Sequence, residues 1–129
     1  FFDVNETLWS GFTIESKGKI IWFVGDTALG PVFEREVAKR IAPVDITLTP
    51  AGACLPREVM QAVHTTPEEG VYLAEMMGSK TAIGMHWGTF PLGADNPLDA
   101  IERFNKAPAR DMRKIMMQIG QTLDLRELW

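Results

Sequence analysis

Short apolar runs alternate along this chain with segments whose apolar residues recur at helical spacing. The first predicted strand, residues 8–16, partly alternates apolar and polar positions, and the second, residues 19–26, is almost continuously apolar. Lys17 and Gly18 between them are few enough for a β-hairpin connection. Because a strand that is apolar on both faces is usually covered on both faces, we expect residues 20–24 at the centre of a sheet.

A first helix is predicted after the second strand. Pro31 suits the first helical position, because proline lacks the N–H that would be unpaired there, and Pro43 ends the helix. Apolar residues at helical spacing form its expected inward face: Val32, Phe33, Val37 and Ile41.

Two further helices carry clear start signals. Thr66 is the predicted N-cap of the second, with Glu69 three residues later completing a capping box, and Gly78 is the predicted stop. Asn96 and Pro97 open the third helix. Its expected inward residues are Leu98, Ile101 and Phe104.

The remaining strands are predicted at residues 45–49, 80–85 and 115–119, so strands and helices alternate. This order favours an α/β fold, with helices packed on a mixed sheet. Asp26 and His86 each follow a predicted strand, and sites in α/β sheets collect at strand ends. We therefore expect these two side chains to converge.

Composition narrows the classes of function. The net charge of −4 and the pI near 5.1 argue against nucleic-acid binding, because phosphate binding needs clustered cations. No apolar run approaches the roughly 20 residues of a membrane span. Cys54 is the one cysteine, which excludes an intramolecular disulfide and favours a reducing, cytoplasmic location. We interpret Cys54 as a small packed residue, not a nucleophile.

The chain has two histidines, and each allows two interpretations. Asp26 and His86 form a possible pair of metal ligands, since carboxylate and imidazole suit zinc, iron or manganese. The alternative is a hydrogen-bonded core histidine and a helix-capping or turn-forming aspartate. His64 precedes a helix cap, where it either contacts substrate or moves a proton, or simply hydrogen-bonds a loop carbonyl.

Four motifs follow one another in this order: GDT at residues 25–27, P-x-GA-x-x-PR at 50–57, H-x-x-PEE at 64–69 and HWGTF at 86–90. From about residue 7 to about residue 120 the chain resembles the C-terminal half of metallo-β-lactamase-fold hydrolases. Within them it is most similar to the branch of N-acyl-phosphatidylethanolamine phospholipase D and the ascorbate-6-phosphate lactonases. The resemblance implies that residues 1–129 are one partial domain, the C-terminal half of an αββα sandwich.

The resemblance also implies a hydrolase with two metals, usually zinc. Such an enzyme cleaves a phosphodiester, phosphoester or lactone with a metal-bound hydroxide. By resemblance, Asp26 is the catalytic carboxylate that bridges the metals and His86 is a terminal ligand. His64 matches a catalytic histidine at the substrate side of the site and is not expected to bind metal. Arg57 is expected either to contact a substrate phosphate or to form a surface salt bridge.

The family's main metal motif, H-x-H-x-D-H, does not occur in this sequence. We therefore expect a fragment that is inactive as an isolated chain and binds zinc weakly or not at all. Its uncovered sheet face should bind the missing N-terminal half or a second copy. The expected substrate is a small-molecule or lipid phosphoester. Two alternatives stay open: a non-catalytic α/β module that acts through assembly, and a nuclease of the same fold.

Overall fold

A computed structural model describes residues 10–128. It contains one five-stranded mixed sheet in the order β1-β2-β3-β4-β5. The first two strands are antiparallel, and each later strand is parallel to its neighbour. This arrangement confirms the predicted α/β fold and its mixed sheet. The strands are β1 Phe12–Ser16, β2 Lys19–Phe23, β3 Ile46–Pro50, β4 Thr81–Met85 and β5 Arg113–Met116.

The helices lie between the parallel strands, as the sequence predicts. Helix α1 opens in π-helical geometry over Phe33–Val37 and continues as an α-helix over Ala38–Ile41. Helix α2 is the short Arg57–Met60, and α3 and α4 are Pro67–Met76 and Pro97–Lys106. A 3₁₀ turn at Leu125–Glu127 lies near the end of the described residues.

Local sequence signals, the helix caps and the hairpin turn, correctly predicted where several of these elements begin or turn. The capping box of α3 is present, with Thr66 and Glu69 each accepting a hydrogen bond from the other's backbone N–H. The Asn96 side chain caps α4, and Lys17 and Gly18 both take the positive φ that a tight hairpin turn needs. The first two predicted strands are shorter in the structure, and the last lies earlier in the chain, at 113–116 instead of the predicted 115–119. Leu8 and Trp9, which begin the predicted first strand, lie outside the described residues, as does Trp129.

One face of the sheet is covered by helices. Trp22 of β2 packs against Phe33 of α1 and belongs to a buried cluster that includes Leu73 of α3. A second buried cluster joins Ala82 of β4 to Phe104 of α4. Helix α3 contributes to both clusters, so it holds the sheet and the other helices together.

The other face of the sheet carries a broad apolar surface, which we call the open apolar face. Near the hairpin it is uncovered, with Phe12 62% and Ile14 60% exposed. At the other end the C-terminal segment, including Leu128, packs on Ile46 and Ile83. The residues that line the open apolar face are Phe12, Ile14, Ile21, Phe23, Ile46, Leu48, Ile83, Met117, Leu123 and Leu125.

The prediction that residues 20–24 lie at a sheet centre covered on both faces was wrong. The middle strand is β3, and β2 lies between β1 and β3. Trp22 is buried beneath the helices, whereas Phe23 on the opposite face is 38% exposed. The second apolar face of β2 is real but only partly covered, since Ile21 packs against the buried cluster of Ile46, Ile83 and Leu128 while Phe23 stays exposed.

Two inward positions were also predicted wrongly. Leu98 is 68% exposed, because the buried side of α4 is set by Ala100 and Phe104, four residues apart and on one face. Val32 is 51% exposed, because it precedes the π-helical turn, and Phe33 is the first residue of α1 to reach the core. Among the described residues, no helix combines the length and apolar character needed to cross a membrane.

Candidate metal centre

Three polar side chains meet at the edge of the sheet where the parallel strands end. Asp26 lies three residues beyond the end of β2, and His86 directly follows β4. His64 precedes α3, the helix that connects β3 to β4. One ligand atom from each of these residues lies within 4.8 Å of the others.

The predicted convergence of Asp26 and His86 is confirmed. Nε2 of His86 lies 3.4 Å from Oδ2 of Asp26. The ring centroids of His64 and His86 are 5.1 Å apart, with the planes tilted by 34°. His64 therefore belongs to the same cluster of donor atoms, although the family resemblance implied a histidine that contacts substrate and does not bind metal.

The chemistry of this cluster fits a transition metal. A carboxylate with two imidazoles is a donor set that zinc commonly accepts. The Nδ1 atoms of His64 and His86 are buried, and neither has a hydrogen-bond partner among the described residues. Burial, followed by the proximity of His86, lowers the pKa of His64, which favours the neutral imidazole that a metal requires. These three donors suit one ion, whereas a second ion would need further ligands.

Hydrogen bonds between the loops hold the cluster together. The backbone N–H of Thr65 donates to the carbonyl of Thr27 at 2.8 Å, which joins the His64 segment to the Asp26 loop. The Thr65 hydroxyl donates to the carbonyl of Pro50 at the end of β3, at 3.3 Å. Thr65 is fully buried, so these bonds lie away from solvent.

Arg57 acts on this region through His64. Its Nη1 donates to the carbonyl of His64 at 2.9 Å, and its Nη2 contacts both carboxylate oxygens of Glu69 at 3.1 and 3.2 Å. Glu69 also accepts the backbone N–H of Thr66 at 2.7 Å. The guanidinium is thus occupied by a partly buried salt bridge, one of the two expected alternatives. A phosphate contact by Arg57 stays a prediction.

Cys54 is buried, and its thiol is hydrogen-bonded. Its thiol donates to Oδ1 of Asp95 at 3.0 Å, and burial raises its pKa to about 11. The interpretation of Cys54 as a packed residue agrees with this setting. Asp95 was not singled out from the sequence, yet its Oδ2 also accepts the N–H of Leu55, at 3.3 Å. Asp95 thereby connects the loop after β3 to the loop after β4. No local sequence pattern predicts this contact.

An apolar recess of about 240 Å³ opens beside the metal-ligand cluster. Its walls come mainly from the loop after β4, including Trp87, Phe90 and Leu92, and His86 is also part of its lining. Asp95 is the one charged residue among those that line it within the described part of the chain. The recess therefore suits an uncharged, apolar group better than an anion.

Comparison with known proteins agrees with this architecture. The chain is 30% identical over 131 residues to N-acyl-phosphatidylethanolamine-hydrolyzing phospholipase D 1 of Caenorhabditis elegans, covering 98% of this chain and 36% of that protein. It is 26% identical over 115 residues to a metal-dependent hydrolase of Caldivirga maquilingensis, covering 89% of this chain and 46% of that protein. The chain therefore spans less than half the length of each of these two relatives.

The same fold occurs in a solved structure of a metallo hydrolase from Ignicoccus hospitalis. It superposes with a TM-score of 0.65 at 18% identity, covering 92% of this chain and 46% of that one. A family model described as the beta-lactamase superfamily domain matches residues 1–87, a range that contains Asp26, His64 and His86. The chain therefore belongs to the beta-lactamase superfamily, whose members among its relatives include metal-dependent hydrolases.

Proposed function

We propose that this chain supplies part of the metal centre of a zinc-dependent hydrolase that cleaves a phosphodiester, a phosphoester or a lactone. The observation that carries the proposal is the convergence of Asp26, His64 and His86, with donor atoms within 4.8 Å of one another. The similarity to a phospholipase D and to metal-dependent hydrolases supports the same class of reaction.

Each side chain has a proposed role that its chemistry allows. Asp26 offers two carboxylate oxygens and so can bridge two ions, and His86 offers one imidazole nitrogen as a terminal ligand. Zinc bound there would serve as a Lewis acid that activates water and polarises the substrate. His64 faces the same space and is placed either to contact substrate or to transfer a proton, and in the isolated chain it can complete a three-residue ligand set.

The apolar recess supports a substrate with an apolar group next to the bond that is cleaved. No lysine or arginine is among the described residues that line it, so a highly anionic substrate would gain no ion pair there. A lipid phosphoester or an aliphatic lactone therefore fits the apolar recess better than a nucleic acid does. A direct phosphate contact by Arg57 would require its guanidinium to leave Glu69.

We further propose that the open apolar face packs against the rest of a beta-lactamase-type domain. That face includes Phe12 and Ile14, each about 60% exposed, which is costly to leave in water. The chain spans 36% of its worm relative and 46% of the archaeal hydrolase structure, so each of these relatives contains more further polypeptide than the length of this chain. In this proposal that polypeptide brings the other ligands, and the isolated chain has no turnover.

The test uses the natural gene product that contains these 129 residues, loaded with zinc and assayed with bis(4-nitrophenyl) phosphate, 4-nitrophenyl phosphate and an aliphatic lactone. We expect hydrolysis of at least one of the three, abolished by a chelator and by His86→Ala. Glu102→Gln, on the exposed side of α4, is the control and should retain full activity. Equal rates in the wild type and His86→Ala, or no turnover of any of the three, would favour the non-catalytic assembly module.

A further inference from the structure

The backbone of Gly52 runs directly against the backbone of His86. The N–H of Ala51 donates to the carbonyl of Met85 at 2.9 Å, which extends the pairing of β3 and β4 to the first residue beyond β3. Gly52 and His86 are the next residues on the two sides. The loop after β3 and the loop after β4 therefore separate only after passing this point of close approach.

A side chain at residue 52 has no room. A Cβ built on Gly52 would lie 2.3 Å from the carbonyl oxygen of His86 and 3.1 Å from the Cα of Trp87. Both are backbone atoms, so no flexible side chain can turn away to make space. Real Cβ atoms stay at least 3.0 Å from such neighbours, and the two segments would have to separate by about 0.7 Å (3.0 minus 2.3).

The conformation of His86 makes this contact important for the site. His86 has a φ of +58°, in the left-handed region that residues other than glycine seldom adopt. This turn takes His86 out of β4, and its Nε2 then lies 3.4 Å from Oδ2 of Asp26. Strained backbone of this kind persists only where surrounding structure holds it in place, and the backbone of Gly52 lies so close to the His86 carbonyl that no Cβ fits between them.

We infer that Gly52 is a positioning residue. By allowing the backbone of the loop after β3 to contact the backbone of His86, it sets the direction in which the His86 imidazole points. The inference rests on the metal centre proposed above. Ligand distances in metal sites hold to within about 0.2 Å, so a displacement of roughly 0.7 Å is too large for a ligand to absorb. Gly52→Ala is therefore expected to move His86 out of ligating position while leaving Asp26 and His64 in place.

The test compares three single-methyl variants of the full chain. Zinc affinity is measured by competition with a chromophoric chelator, and coordination geometry by the visible spectrum of bound Co²⁺. We expect Gly52→Ala to bind zinc at least tenfold more weakly and to change the Co²⁺ spectrum. Gly78→Ala, at a φ of +67° and with its Cβ 3.3 Å from the Cβ of Pro43, controls for backbone strain at the opposite end of β4 from His86. Gly30→Ala, with open space around it, controls for the added methyl.

A double-mutant cycle with His86→Ala separates positioning from a general loss of stability. If Gly52 acts through His86, Gly52→Ala has no further effect on zinc affinity once His86 is alanine. If Gly52→Ala does not fold without metal, zinc at concentrations that saturate the wild type should fail to refold it. Refolding at those concentrations, unchanged zinc affinity, or equal losses with and without His86 would each overturn the inference. A wild-type chain that binds no zinc would instead overturn the proposed metal centre.

Discussion

Nε2 of His86 lies 3.4 Å from Oδ2 of Asp26, although sixty residues separate them in the chain. The two residues follow β2 and β4, and β3 lies between these strands in the sheet. Because β2, β3 and β4 are parallel, their carboxyl ends lie at one edge, and loops only a few residues long bring the side chains together. The ligand cluster is thus a direct product of the strand order.

Replacing Arg57 with lysine tests whether Arg57 positions His64 or binds phosphate. Lysine keeps the charge but cannot hold Glu69 and the His64 carbonyl at once, because it lacks the guanidinium fork. Arg57 is about a third exposed, so we expect the free energy of unfolding to fall by about 1 kcal/mol. Urea denaturation measures this change.

Arg40→Lys on α1 is the matched control, because its pair with Glu36 is far more exposed. Its free energy of unfolding should hardly change. A phosphate-binding Arg57 would give a different result: Arg57→Lys would leave stability intact and raise KM for phosphate esters but not for lactones. That outcome would contradict the positioning role.

Asp45 is expected to link stability to pH. Its carboxylate accepts the N–H of Ile20 at 3.0 Å and receives Nζ of Lys80 at 2.9 Å. The Ile20 hydrogen bond, followed by that of Lys80, holds the pKa of Asp45 below its usual 3.8. The stabilisation is therefore complete above about pH 4, the pKa in the unfolded chain, and is lost as the pH falls through the lower folded pKa.

The variant Asp45→Asn should reduce the free energy of unfolding by about 1–3 kcal/mol at pH 7, since a partly buried, hydrogen-bonded charge is removed. The difference from the wild type should shrink as the pH is lowered below about 4. Urea titrations at neutral and acidic pH measure both effects, with Glu15→Gln on the exposed β1 strand as control. A difference that stays constant across the acidic range would refute this assignment.

Ile14 lies on the open apolar face, opposite Ile21 on the neighbouring strand. We expect the isolated chain to self-associate through this face in the absence of the rest of the domain. Ile14→Asp should weaken that association, because it places a charge in the apolar contact. Thr13→Asp, one residue earlier and on the opposite side of β1, should not.

Sedimentation velocity over a range of protein concentrations gives the comparison. A wild-type chain that stays monomeric at high concentration, or an Ile14→Asp chain that associates as strongly as the wild type, would count against a role for this face.

The elements with local signals were the ones predicted from sequence. The capping box at Thr66 and Glu69 depends on contacts within one helical turn, and the Lys17–Gly18 turn depends on two adjacent residues, so both can be identified without tertiary information. The convergence of Asp26 and His86 followed from the general rule on strand ends. The position of β2 could not be predicted, because an apolar face has the same pattern whether it is buried in a core or left open.

The parts of the site that were missed depend on contacts between distant segments. Gly52 lies in the P-x-GA-x-x-PR motif after a predicted strand, but nothing in its neighbours indicates that it touches His86. Asp95 is followed by Asn96 and Pro97, which suggests only a helix start, yet its carboxylate joins two loops. The closeness of His64 to the other donors likewise depends on Thr65, whose N–H reaches the Asp26 loop from a distant part of the chain.

Zinc binding by the 129-residue chain tests the central claim most directly. Isothermal titration calorimetry should show one zinc ion per wild-type chain, bound weakly because three side chains supply the ligands. Asp26→Ala and His86→Ala should each reduce the affinity at least tenfold, whereas Glu102→Gln should leave it unchanged. A wild-type chain that binds no zinc, or zinc binding that survives the combined loss of Asp26 and His86, would contradict the account.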